Sequence, residues 1–216
     1  MKIWDGFIRV YHWSQVVLLG SLWYTADEGL MEWHFTLAYL LMALLGTRII
    51  WGVIGSDTAK FSHFVTSPKK AINYLSIEKK GTLSHSVGHN PAGGYMVLGL
   101  FFLLSLQLIT GLFSNDDILS EGPLASLVSY DTSGFFTQIH HQSFDVLLGF
   151  IGLHIAAVFF YRLKGINLIK PMLTGNAELT GNSPKMKHSI FAWLIFTVIF
   201  LIIYFFWASE VISYLF

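Results

Sequence analysis

The chain has 216 residues, of which 54% are hydrophobic and 12% are charged, and its formal net charge is zero. Soluble proteins average roughly 25% charged residues, so this composition indicates an integral membrane protein and excludes a nucleic-acid-binding class. The chain has no Cys, which excludes disulfides, Cys-ligated iron–sulfur clusters and covalently attached c-type haem.

Five apolar segments are long enough to cross a bilayer, and we expect each to form a transmembrane helix. In chain order they cover residues 8–26, 34–54, 92–113, 136–161 and 189–209. The first is the least apolar, because Arg9 and His12 lie in its opening turns. No internal repeat is evident, so we expect residues 1–216 to form one transmembrane domain of the all-α class.

The basic residues predict how these helices are oriented. All 13 Lys and Arg fall in the amino-terminal segment, in residues 48–90 or in residues 162–187. The alternate connecting segments are acidic. By the positive-inside rule, the amino terminus is cytoplasmic and the carboxy terminus periplasmic, in a bacterial inner membrane. No small-residue cleavage site follows the amino terminus, so no removable signal peptide is expected.

Two histidines in the fourth span, His140 and His154, are fourteen residues apart. At 100° per residue, this spacing returns a helical side chain to within about 40° of its first direction, about 21 Å further along the axis. One helix would then present imidazoles near both membrane faces. His141 is the competing candidate for His140, and it points about 100° away.

The predicted orientation places each of these histidines opposite another one. His12 lies at the depth of His154, near the cytoplasmic face, and His34 lies at the depth of His140, near the external face. A single intramembrane His is more often a packing or proton-relay residue, but four at matched depths favour metal ligands. Two facing imidazoles make a six-coordinate haem iron suited to electron transfer. We therefore expect two haems b, and no catalytic residue.

Two arginines are candidates to bind the haem propionates. Arg48 follows His34 by fourteen residues, and Arg9 precedes His12 by three. Arg forms strong charge-assisted hydrogen bonds to carboxylates in partly dry sites. Basic residues at cytoplasmic helix ends also snorkel or serve only topology, and this alternative stays open.

Several other polar residues allow more than one interpretation. Asp145 lies several turns into the fourth span, where it is expected to hydrogen-bond near a ligand, deprotonate quinol or contact span five. Gln107 and Thr110 line a quinone pocket or join helices. His85 and His89 lack Cys or a nearby carboxylate pair, so no metal site is expected there.

Several segments together resemble the bacterial cytochrome b-561 family, which includes the b-type cytochrome subunits of membrane-bound nickel–iron hydrogenases. They are WDGFIRVYHW, RIIWGVIGSDTAKFSHFVTSPKKAINYL, GHNPAGGY, TGLF and IHHQSFDVLLGFIGLH. The resemblance runs from about residue 4 to residue 162. It implies a four-helix core with two haems b, ligated by His12, His34, His140 and His154. The last span goes beyond that core, and His141 stands where the family often has an acidic residue.

The expected function is a diheme cytochrome b that relays electrons between the quinone pool and a redox protein. A hydrogenase or a c-type cytochrome at the acidic external face is the expected partner. One alternative is a self-contained superoxide or quinone oxidoreductase. Another is a non-redox membrane anchor or metal transporter. Membrane lipid surrounds the chain in every case, and a homodimer stays open.

Overall fold

The computed structural model describes residues 1–79, 86–118, 120–178 and 181–215. The chain is mostly helical, at 75%, and the described residues contain two isolated β-bridges but no strand. The all-α class is therefore confirmed. The helices are α1 (Gly6–Asp27), α2 (Met31–Ile54), α3 (Phe61–Phe64), α4 (Pro68–Lys79), α5 (Pro91–Phe113), α6 (Tyr130–Leu163), α7 (Ile169–Thr174), α8 (Ile190–Ile203) and α9 (Ser209–Ser213).

Four described helical segments are long and apolar enough to cross a membrane. They are α2, α5, α6 and the continuous segment Ile190–Ser213, in which a π-helical turn at Tyr204–Ala208 joins α8 to α9. All five predicted spans coincide with helices. However, α1 does not meet this apolarity criterion, since Arg9, His12 and Gln15 interrupt its apolar surface. A fifth membrane span therefore stays a prediction.

The long helices pack mainly as two hairpins. Helices α1 and α2 form the first, and α5 and α6 form the second. Gly29, at φ 67°, makes the tight turn between α1 and α2, a backbone conformation that glycine adopts without strain. Helix α8 packs against the far side of α2. The buried core lies where α1, α2, α5, α6 and α8 meet.

Glycines in α5 allow α6 to approach closely. A Cβ atom at Gly99 would lie 2.7 Å from Cε1 of Phe150, and one at Gly111 would lie 3.0 Å from Cε1 of His140. Both distances are shorter than ordinary contacts between carbon atoms. The missing side chains therefore set the spacing between α5 and the histidine-bearing helix.

A buried carboxylate ties the start of α1 to the end of α2. Asp5 is 1% exposed, and its Oδ1 accepts a hydrogen bond of 2.9 Å from the backbone N–H of Ile8. Its Oδ2 accepts a hydrogen bond of 3.0 Å from Nε1 of Trp51. The first contact caps α1, because it satisfies an N–H group that the helix itself leaves free. The second fixes the position of α1 against α2.

The start of α8 is attached to the same end of the molecule. The backbone N–H of Phe7 donates to Oγ of Ser189 over 3.0 Å, and that of Lys187 donates to Oγ of Ser56 over 3.0 Å. These bonds join the segment before α8 both to α1 and to the turn that follows α2. Helix α8 is thereby anchored to the rest of the bundle.

Candidate functional site

The structure brings together both predicted histidine pairs. The imidazole rings of His12, on α1, and His154, on α6, have centroids 6.3 Å apart. Those of His34, on α2, and His140, on α6, are 6.5 Å apart. Each pair therefore joins the first hairpin to the second, and α6 contributes one member to both.

These separations suit a metal ion held between the rings. A nitrogen–metal bond is about 2 Å long, so two such bonds and two ring radii of about 1 Å each give a centroid separation of about 6 Å. A direct hydrogen bond of about 2.9 Å between the rings would bring the centroids to about 5 Å. Both separations fit two imidazoles that share one metal ion better than they fit a hydrogen-bonded pair.

Backbone carbonyl groups orient the rings of the second pair, His34 and His140. Nδ1 of His34 lies 3.0 Å from the carbonyl oxygen of Leu22, and Nδ1 of His140 lies 2.9 Å from that of Gln107. When Nδ1–H donates to such a carbonyl, the proton stays on Nδ1 and Nε2 keeps its lone pair for a metal. This arrangement is the usual support of a metal-binding histidine. At His140 the amide nitrogen of Gln107 lies 3.1 Å from that Nε2, so the amide would have to turn away before a metal could bind there.

Polar side chains surround His140 more closely than the sequence indicated. The amide nitrogen of Gln107 lies 3.1 Å from Nε2 of His140, while Oγ of Ser143 donates to Oε1 of Gln107 over 2.6 Å. Oγ1 of Thr110 lies 3.2 Å from Nδ1 of His140. The sequence analysis did not single out Ser143, although its position three residues after His140 places both on neighbouring parts of one helix face.

The first pair, His12 and His154, lies among buried polar atoms that lack hydrogen-bond partners within the described part of the chain. Native proteins leave few such atoms unpaired, so a group of them marks a place where a bound molecule supplies polar atoms. The carboxylates of a haem are suitable acceptors for these N–H and O–H groups. The atoms are Nε of Arg9, the hydroxyl of Tyr11, Nδ1 of His12, Nε2 of Gln15, one Nη of Arg48 and Nδ1 of His89.

The two predicted arginines differ in their surroundings. Arg48 is 3% exposed, and its guanidinium carbon lies 5.2 Å from the ring centroid of Phe101 and 5.8 Å from that of Phe61. Aromatic faces stabilise a cation only in part, so a buried guanidinium also needs an anionic partner. Arg9 instead donates from Nη1 to the carbonyl oxygen of Leu173 over 2.6 Å, which leaves Nε free.

His89 lies two residues before the start of α5 and belongs to the same group of buried polar side chains. Its ring centroid lies 4.7 Å from that of Phe64 and 4.9 Å from that of Trp4. Burial first, and then the nearby Arg48, His154 and His12, together lower the pKa of His89 to about 3. His89 is therefore neutral at physiological pH and close to the first pair. Its burial was not predicted.

Two polar residues of α6 lie outside the site. His141 and Asp145 are exposed and point away from the side of the helix that carries His140 and His154. Asp145 has no hydrogen bond or ion pair within the described residues, so the predicted hydrogen bond near a ligand is not seen there, and its role in quinol deprotonation stays a prediction. No group of three or more His, Cys, Asp or Glu suited to a metal ion occurs in the described ranges, and His85 lies outside them.

Apolar helices that carry paired imidazoles define a class of protein, the membrane proteins that hold haem without a covalent link. The family model for prokaryotic cytochrome b561 matches residues 3–175, and the chain belongs to this family. The protein is thus a bacterial membrane cytochrome that binds b-type haem and transfers electrons. The matched region ends before α8. No match was found among curated proteins or among solved structures.

Proposed function

We propose that this protein carries two haems b and relays electrons across the membrane, between the quinone pool and a redox partner protein. The observation that supports two haems is the spacing of both histidine pairs, at 6.3 Å and 6.5 Å between ring centroids. Their α6 members, His154 and His140, are separated by about 21 Å along the helix axis. The two haems would therefore lie in series across the bilayer.

The residues of each pair serve as axial ligands in this proposal. His12 and His154 hold one haem iron, and His34 and His140 hold the other. A bound haem supplies one-electron redox chemistry. Two imidazoles would hold each iron and would leave no position there for substrate or oxygen. Electron transfer is favoured over chemistry on a small substrate for this reason.

We assign the propionates of the first haem to the unpaired polar atoms beside His12 and His154. Arg48 is the main partner, because one Nη of its buried guanidinium has no hydrogen-bond partner within the described residues, and the nearby Asp5 carboxylate already accepts from Ile8 and Trp51. Arg9 has Nε left for a second carboxylate. Neutral His89 and the hydroxyl of Tyr11 are further hydrogen-bond donors to these groups.

The proposed orientation makes α1 a fifth transmembrane helix. Its 22 residues span about 33 Å, which is about the thickness of the hydrocarbon core. Exposed apolar residues along it, including Val16, Val17 and Trp23, suit contact with lipid. The amino terminus is then cytoplasmic and the carboxy terminus periplasmic.

The redox partner is proposed to dock at the external face. Within the proposed orientation, the connections at this face carry seven acidic residues and no basic residue, so they would attract a basic surface of a hydrogenase or a c-type cytochrome. The acidic residues are Asp27, Glu28, Glu32, Asp116, Asp117, Glu121 and Asp131.

The haem-to-protein ratio of detergent-purified protein tests this proposal. Pyridine haemochrome absorbance should give a ratio near two, with low-spin b-type bands in the reduced-minus-oxidised spectrum. His140→Ala and His154→Ala should each give a ratio near one. His141→Ala is the matched control and should keep both haems. A ratio near one in the wild type would contradict the two-haem proposal.

A further inference from the structure

The face of α6 that points away from His140 is polar where lipid would be expected. Relative to His140, its residues lie between about 100° and 200° around the helix axis, which is one continuous face. We call this set the outer stripe of α6. It consists of the exposed residues of this arc from position 134 to position 156, and beyond them the arc becomes apolar, at Phe159, Phe160 and Leu163. The residues of the stripe are Gly134, Gln138, His141, Gln142, Asp145, Gly149, Gly152 and Ala156.

The outer stripe is unsuited to lipid. Helix α6 is one of the four segments apolar enough to cross a membrane, and Asp145 lies near the middle of its 34 residues. Ionisable residues at such positions nearly always face other protein groups, because hydrocarbon cannot solvate them. Asp145 has no such partner in the described part of the chain. Another protein surface is therefore required to cover it.

The glycines of the outer stripe allow such a surface to come close. Nothing lies within 4 Å of the position that a Cβ atom would occupy at Gly134, Gly149 or Gly152. In contrast, the α5 glycines Gly99 and Gly111 are each explained by an aromatic side chain of α6. Gly152 and Ala156 are four residues apart, a spacing of small residues that lets membrane helices pack backbone to backbone.

We propose that a second copy of this chain covers the outer stripe, in a dimer with its two-fold axis along the membrane normal. Two copies in one membrane have the same orientation, so residues of equal depth meet across such an axis. Each stripe contains an acid and a base, Asp145 and His141, about one helical turn apart. The two Asp145 side chains then lie at equal depth, and the imidazole of each copy can reach the carboxylate of the other only diagonally, across one helical turn, so this contact occurs twice.

Complementarity within one stripe favours a second copy over an unrelated helix. The amide of Gln142 both donates and accepts hydrogen bonds, so two copies of it can pair with each other. An unrelated helix would need its own matching acid, base and amide at these depths. A second copy of the outer stripe supplies all three groups.

Cysteine cross-linking in native membranes tests the proposal directly, since the wild-type chain has no Cys. Gly152→Cys places a thiol on the outer stripe. Val198→Cys places one on an exposed position of α8 and is the control. With copper phenanthroline as the oxidant, Gly152→Cys should form a disulfide-linked species of twice the monomer mass, and Val198→Cys should stay monomeric. Absence of that species, equal cross-linking of both variants, or an adduct with a different protein would overturn the proposal.

A second measurement separates loss of the dimer from loss of the fold. In lipid nanodiscs, light scattering should give a dimer for the wild type and for Val146→Leu, which changes a neighbouring exposed residue outside the stripe. Asp145→Leu combined with Gly149→Leu should give a monomer with an unchanged haem-to-protein ratio. A wild-type monomer, or a dimer that survives both substitutions, would refute the interface. This result does not depend on the number of haems.

Discussion

Asp5→Ala should destabilise the protein through two separate contacts. The side chain caps α1 through the N–H of Ile8, and loss of an N-cap acceptor typically costs about 1 kcal/mol, within a range of roughly 0.5–2. It also accepts the indole hydrogen bond of Trp51, which is 0% exposed. A buried donor left unpaired costs about 1–3 kcal/mol. The expected loss in free energy of unfolding is therefore about 1.5–5 kcal/mol.

Titration with sodium dodecyl sulfate in mixed micelles, followed by circular dichroism, measures this loss. Asp5→Asn is the matched control. Its one acceptor oxygen can replace the cap or the indole contact but not both, so its loss should be intermediate, at about 1–3 kcal/mol. A loss below about 1 kcal/mol for Asp5→Ala, or equal losses for the two variants, would refute the assignment of two independent contacts.

Two further predictions concern the haem sites. Gly111→Val should push the His140 ring, since even a Cβ atom there would lie 3.0 Å from its Cε1; the haem-to-protein ratio should fall to near one. Gly20→Val, which has open space around it, should keep a ratio near two, and loss of haem in both variants would contradict this explanation. Arg48→Gln should lower the midpoint potential of the haem beside His12 by about tens of millivolts, because a nearby positive charge favours the reduced iron. Redox potentiometry measures this, and equal shifts of both haems would contradict the placement of Arg48.

The membrane-spanning helices were predictable because their apolar segments are long and uninterrupted. The pairing of the histidines was predicted from the difference in charge between the two ends of the helices and from helical spacing alone. Apolarity was a poorer guide for α1. Its interior positions hold polar residues that face other parts of the protein, and these lower its hydropathy although it is a regular helix of 22 residues.

Contacts between distant segments could not be predicted. The approach of Gln107 to His140 depends on how α5 is rotated against α6, and the bond between Asp5 and Trp51 joins residues 46 positions apart. The direction of Asp145 relative to His140 follows from helical geometry. The sequence does not predict which helix, if any, lies beside Asp145, because that depends on the arrangement of the whole bundle.

Helix α6 contributes one histidine to each pair, and this sharing limits how the gene can change. Deletion or insertion of one codon between His140 and His154 would turn one imidazole by about 100° relative to the other and shift it by about 1.5 Å. No adjustment in a neighbouring loop can correct that error, since both residues belong to the same rigid rod. We therefore expect the fourteen-residue interval to tolerate substitutions better than any change in length, whereas the longer connections between helices can vary in length.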